Sequence, residues 1–139
     1  MLEERKKEIT ENLISSFEEA GNISLKLRKQ GLKKEIKIDN TPVTNGDIEV
    51  NKLITSKIEK ITPKIPIVSE ESSSNKSNEN LKTFWLIDPI DGTHDYINDR
   101  DEFTINAGLI INNKPEVGII YAPAKKGFFI HFMKVNVLN

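Results

Sequence analysis

The 139-residue chain predicts an α+β fold, with two N-terminal helices packed on a largely antiparallel sheet. Three observations carry this expectation. The leading part of the chain has two apolar stripes at helical spacing. The period then changes to short unbroken apolar runs, and two of those runs flank a turn as a hairpin does. The sequence shows no internal repeat.

The first stripe is Ile9, Leu13, Phe17 and Ala20, with Ile14 beside it and charged residues at 3–7, Glu18 and Glu19 on the other face. Gly21 interrupts it, and Leu25 and Leu27 extend it toward Gly31, a suitable helix terminator. The spacing fits either one continuous helix or one broken at Gly21. A short strand is expected at 35–38, then the turn-rich run Asp39-Asn40-Thr41-Pro42. Thr44-Asn45-Gly46-Asp47 has the form of a capping box. Val50, Leu53, Ile54, Ile58 and Ile61 follow as the second helix, which Pro63 stops.

Ile65-Pro66-Ile67-Val68 is a short apolar run, and residues 72–82 read as a solvated loop. Phe84-Trp85-Leu86-Ile87 is an apolar strand, followed by a polar loop through Arg100. Residues 103–111 and 117–121 pair around the turn Asn112-Asn113-Lys114-Pro115, and a third strand covers 127–132. The predicted core is Leu13, Phe17, Val50, Ile54, Ile58, Trp85, Ile87, Ile105, Ala107, Leu109, Val117 and Ile119.

Composition removes several classes of function. With 20 basic and 21 acidic residues the net charge is −1, which argues against binding a nucleic acid polymer. The absence of Cys excludes a disulfide scaffold, a thiolate zinc site and a cysteine nucleophile. No apolar run approaches the ~20 residues of a transmembrane segment, and the charged start does not resemble a secretory leader. A cytoplasmic protein is expected, with peripheral contact to the inner membrane left open.

The acids carry the chemistry. Asp88 directly follows four apolar strand residues, and Asp91, Gly92 and Thr93 come within the same tight turn. Two carboxylates delivered there repel each other, and a bound cation removes that cost. An all-oxygen ligand set suits Mg²⁺ or Ca²⁺, with the Ile90 carbonyl as a further oxygen. Gly92 would let an oxyanion approach the main-chain N–H groups. Glu70 and Glu71 end the preceding apolar run in the same manner, and Asp47 stands at a helix start. Taken singly, Asp47 is a helix cap, Glu70-Glu71 a loop start, and Asp95, Asp99, Asp101 and Glu102 solvated charges. The ordered set is the stronger signal.

Three segments in order (residues 39–47, Ser69-Glu70-Glu71, and Trp85-Leu86-Ile87-Asp88-Pro89-Ile90-Asp91-Gly92-Thr93) resemble the lithium-sensitive, Mg²⁺-dependent phosphomonoesterases of the inositol monophosphatase superfamily. Glu102-Phe103-Thr104-Ile105-Asn106 and Gly118-Ile119-Ile120-Tyr121-Ala122-Pro123 are most similar to its bacterial 3′(2′),5′-bisphosphate nucleotidases. The resemblance runs from about residue 21 to residue 123.

This resemblance implies the leading part of a layered αβαβα fold. It implies a metal site of Glu70, Asp88, Asp91 and the Ile90 carbonyl, for two or three Mg²⁺ in the complete family site. It places Asp91, Gly92, Thr93 and His94 at the substrate, and pairs Asp47 with Thr93 to orient and deprotonate the attacking water. The implied reaction is hydrolysis of the 3′-phosphate of adenosine 3′,5′-bisphosphate, with inositol 1-phosphate as the alternative substrate. His94 stands where many such nucleotidases carry Lys, and it would be a weaker, pH-dependent cation.

The family's second half, with its Trp-Asp motif, has no counterpart, since Trp85 is followed by Leu86. The expectation is therefore a truncated chain. Residues 1–127 form an incomplete metal-binding part and residues 128–139 a divergent tail, with the C-terminal half absent. Such a chain is either an active phosphatase or a catalytically inactive Mg²⁺-binding fragment that associates with another chain through an exposed sheet edge.

Overall fold

The computed structural model describes residues 1–71 and 81–132. Helix α1 (Glu3–Gln30) leads into strands β1 (Lys34–Ile36) and β2 (Pro42–Thr44), and helix α2 (Asn45–Ile61) follows. Next come β3 (Ile67–Ser69), β4 (Phe84–Asp91), the short helix α3 (Thr93–Ile97), β5 (Thr104–Ile111), β6 (Lys114–Ala122) and β7 (Gly127–Phe132). The expected loop at 72–82 falls mostly outside the described residues, as does the tail beyond residue 132.

Among the described residues the main sheet has five strands in the order β3-β4-β5-β6-β7, and only β3–β4 is parallel. The α+β expectation therefore holds. The smaller sheet is the antiparallel pair β1–β2. That pairing, Glu35 opposite Val43, draws a strand out of what the sequence presents as turn residues.

Helix α1 is continuous across Gly21. A Cβ on Gly21 would lie 2.6 Å from Tyr121 Cε2 and 3.1 Å from Pro123 Cβ, so the glycine is there for close packing on β6. Apolar burial beats its weak helix propensity. Both helices cover one face of the sheet, and all twelve predicted core residues are buried between them. Ile9, Ala20, Ile90, Tyr96, Phe103 and Tyr121 complete the core. The Trp85 indole N–H donates to Thr62 Oγ1 at 3.0 Å, which satisfies the one polar atom of that side chain. On the opposite face Leu86, Ile120 and Phe129 are exposed.

Candidate active site

Strand β4 changes character at Asp88. Residues 84–88 pair in register with β5, Asp88 opposite Asn106, but Asp91 pairs with Thr104, so β4 carries one extra residue there. Pro89 lies in this bulge, where its missing N–H costs no ladder bond. The bulge turns the strand end, and Gly92 closes the turn at φ 86°, a conformation that favours glycine. The chain enters α3 immediately, placing Thr93 and His94 in a first turn whose N–H groups lack intrahelical acceptors. The polar loop expected through Arg100 therefore begins with a helix, one whose five residues are too few to show a period in the sequence.

Asp47 both caps a helix and faces this turn. Its Oδ2 accepts from the Thr44 N–H at 2.8 Å and Thr44 Oγ1 at 2.7 Å, while its own N–H donates to Thr44 Oγ1. Its other oxygen, Oδ1, lies 3.4 Å from Thr93 Oγ1. The Thr93 hydroxyl is also 3.2 Å from the Ile90 carbonyl, and its single proton can serve only one of the two at a time. Burial pushes the Asp47 carboxyl above its usual range, against the opposing pull of the Thr44 bonds.

Asp88 is half-buried, and its carboxyl is raised to about 6. Burial is the largest cause, followed by repulsion from Asp91, Glu70, Asp47 and Glu71. The structure thus brings the predicted acids into one electrostatic neighbourhood. Lys37 Nζ stands 3.7 Å from Glu70 Oε2 and 3.8 Å from Glu71 Oε2, a cation already beside the cluster. Asp91 is exposed and accepts from Asn106 Nδ2 at 3.3 Å. His94 is exposed on the surface of α3.

Among the described residues, no group of three or more His, Asp or Glu side chains is drawn together closely enough to hold an ion as it stands. The fit to Mg²⁺ is therefore one of charge and donor chemistry. Hard oxygen donors surround a carboxylate whose neighbours disfavour its charged form, and a divalent cation would reverse that.

Sequence reasoning missed Asn106, Lys37 and Arg28. Asn106 bridges β5 to Asp91, and its buried Oδ1 has no hydrogen-bond partner among the described residues. Its place between the buried Ile105 and Ala107, an amide side chain inside a largely apolar strand, was the available signal. Arg28 binds Asp99 and Asp101 at 3.2 and 3.1 Å, so those two acids anchor the loop after α3 to α1. Asp95 pairs with Arg100 and Glu102 with Lys125, so these expected solvated charges also have partners.

The model of the inositol monophosphatase family matches residues 5–135. The chain belongs to the inositol monophosphatase family. Within it, the 3′(2′),5′-bisphosphate nucleotidase CysQ of Haemophilus influenzae is 43% identical over 91 residues, covering 64% of this chain and 34% of that protein. CysQ of Buchnera aphidicola is 40% identical over 107 residues, covering 75% of this chain and 40% of its own length. Among solved family members, CysQ from Bacteroides thetaiotaomicron superposes with a TM-score of 0.68 at 28% identity, covering 94% of this chain and 47% of that one. An IMPase/NADP phosphatase complexed with NADP and Ca²⁺ superposes at 0.81 with 20% identity, covering 91% and 48%, which shows the shared fold. The chain thus spans 34% and 40% of these two curated relatives and about half of these solved family structures.

Proposed function

We propose that this chain carries the metal-binding and water-orienting part of a Mg²⁺-dependent phosphomonoesterase acting on the 3′-phosphate of adenosine 3′,5′-bisphosphate. The observation that carries the reading is the Thr93 hydroxyl 3.4 Å from Asp47 Oδ1, at the edge of the acid cluster around Asp88. Similarity to bisphosphate nucleotidases at 40–43% identity supports this substrate class over inositol 1-phosphate.

Glu70, Asp88, Asp91 and the Ile90 carbonyl would hold the metal, which when bound supplies Lewis acidity toward water and the phosphate oxygens. Asp47 keeps one carboxylate oxygen fixed in the capping box and leaves the other to Thr93. A water donating to Thr93 Oγ1 would then be oriented through a hydroxyl whose proton Asp47 accepts. The N–H groups of Gly92, Thr93 and His94 would receive phosphate oxygens at the turn. Thr93 and Asp47 move the proton, and no protein nucleophile is required.

Phosphate release from adenosine 3′,5′-bisphosphate by the purified 139-residue chain tests the reading. The assay includes inositol 1-phosphate, a Mg²⁺ titration and Li⁺. Turnover with the bisphosphate that Li⁺ inhibits and Asp88→Asn abolishes is expected. Faster turnover of inositol 1-phosphate would reassign the substrate. A folded chain that binds Mg²⁺ without releasing phosphate would establish the inactive-fragment alternative.

A further inference from the structure

The contact between Asp47 and Thr93 joins the start of α2 to the start of α3, positions 46 residues apart in the sequence. Tyr96, one turn beyond Thr93, occupies the space that sets their separation. Its side chain is fully buried, and its ring lies against Phe103 with centroids 4.8 Å apart. Burial and the neighbouring charge of Asp47 keep the phenol protonated, so its hydroxyl is a donor. That hydroxyl donates to the Ser24 carbonyl of α1 at 2.6 Å.

Gly46, the residue before Asp47, lies against the hydroxyl end of the ring. A Cβ there would fall inside contact distance of the Tyr96 hydroxyl and 2.7 Å from its Cε2. Gly46 is thus required by the ring's position, since even a methyl group would displace one element or the other. The Arg28 guanidinium covers the remaining side, 5.8 Å from the Tyr96 ring and 5.0 Å from that of Phe103. It also binds the Arg100 carbonyl at 2.6 Å, which fixes the chain leaving α3.

We propose that Tyr96 is a positioning residue: held by the Ser24 carbonyl and seated on Gly46, it locks α3 against α2 and keeps the Thr93 hydroxyl on Asp47. The catalytic consequence rests on the phosphatase reading given above, whereas the geometric consequence does not. Losing the phenol hydroxyl removes the hydrogen bond that ties α3 itself to the α1 backbone, while the ring stays in the core and Arg28 still holds the chain leaving α3. Movement of even ~1 Å at Thr93 is enough to cost a large rate factor.

The test uses the whole chain with Tyr96→Phe and Gly46→Ala, read by amide hydrogen exchange and by steady-state kinetics. For Tyr96→Phe, exchange at the Tyr96, Asn98 and Arg100 amides, which donate to the Gly92, His94 and Asp95 carbonyls, should rise about tenfold while Ile105 and Leu109 stay protected. The value of kcat should fall ~10–100-fold with KM nearly unchanged. Gly46→Ala should loosen the same amides. The double variant should show less than the product of the two effects, since both act by displacing Tyr96. Wild-type protection at the Tyr96, Asn98 and Arg100 amides in Tyr96→Phe would overturn the proposal, as would a uniform rise across all strands. If the wild-type chain releases no phosphate, the phosphatase reading fails, and the exchange data alone still decide the role of Tyr96.

Discussion

The two halves of β4 are one strand with opposite physics. In the first half, Trp85 and Ile87 point into the helices and are buried to within 1%. In the second, Asp88 and Asp91 stand beside a bulge, and Asp88 is half-buried among four other carboxylates. Burial stabilises the fold at one end of the strand and destabilises a charge at the other. The difference shows how the fold places chemistry: the apolar half is rigid enough to hold acids where isolated acids would not stay. Substitutions that act on one half and spare the other are the direct way to break this contrast.

The largest effect is expected on rate. On the proposed function, Asp88→Asn should lower kcat/KM by about 10³-fold, because it would remove a charged metal ligand from where phosphate charge must be balanced. Mg²⁺ is expected to raise the Tm of the wild-type chain, and Asp88→Asn should abolish that rise, a linkage that does not depend on turnover. The metal-free fold should survive. A variant that keeps both activity and the Mg²⁺ shift would place the metal elsewhere.

Trp85→Ala should do the reverse. It removes the largest buried side chain and leaves Thr62 Oγ1 without its donor, for a loss of ~3–5 kcal/mol in urea unfolding. A loss below ~1 kcal/mol would mean that this half of the strand is not the rigid support that the site requires.

What the sequence reveals follows the same division. The apolar half is legible because alternation and helical spacing report burial directly, and so Trp85, Ile87, Val50 and Ile54 were identifiable as core. The acids were legible as a set because their placement at element ends is costly without a cation. Tyr96, Arg28 and Gly46 were not. Their partners lie far along the chain, as with Tyr96 and Ser24 at 72 positions, and no local period encodes such contacts. Gly21 was ambiguous for the same reason, because the side chain it makes room for belongs to β6.

A smaller effect concerns pH in the metal-free chain. The Asp88 carboxyl is raised from 3.8 to about 6, so the folded state binds more protons than the unfolded state between those values. Its contribution therefore favours folding as pH falls from above 6 toward 4, and it is lost as pH rises through 6. The full shift corresponds to roughly 2–3 kcal/mol, an upper bound given partial solvent screening. Urea unfolding at pH 5 and pH 7.5 should show this slope in the wild type and a flatter one in Asp88→Asn. Saturating Mg²⁺ should flatten it too, because a cation stabilises the charged carboxylate. An identical slope in all three would show that Asp88 is not the titrating group.

The smallest expected effect separates capping from chemistry at Asp47. Thr44→Ala removes the hydroxyl that donates to Asp47 Oδ2 and accepts from the Asp47 N–H, at a cost of ~1–2 kcal/mol. Thr44→Ser keeps both bonds and should cost less than ~0.5 kcal/mol. The Thr44 main-chain N–H still holds Oδ2 at 2.8 Å in either variant, so Asp47 stays at the helix start. Its carboxylate loses one of two restraints in Thr44→Ala, and the contact to Thr93 should loosen with it. A stability loss without any change in turnover would confine Thr44 to capping. A parallel loss of both, restored by Ser, would show that the first turn of α2 is part of the catalytic geometry.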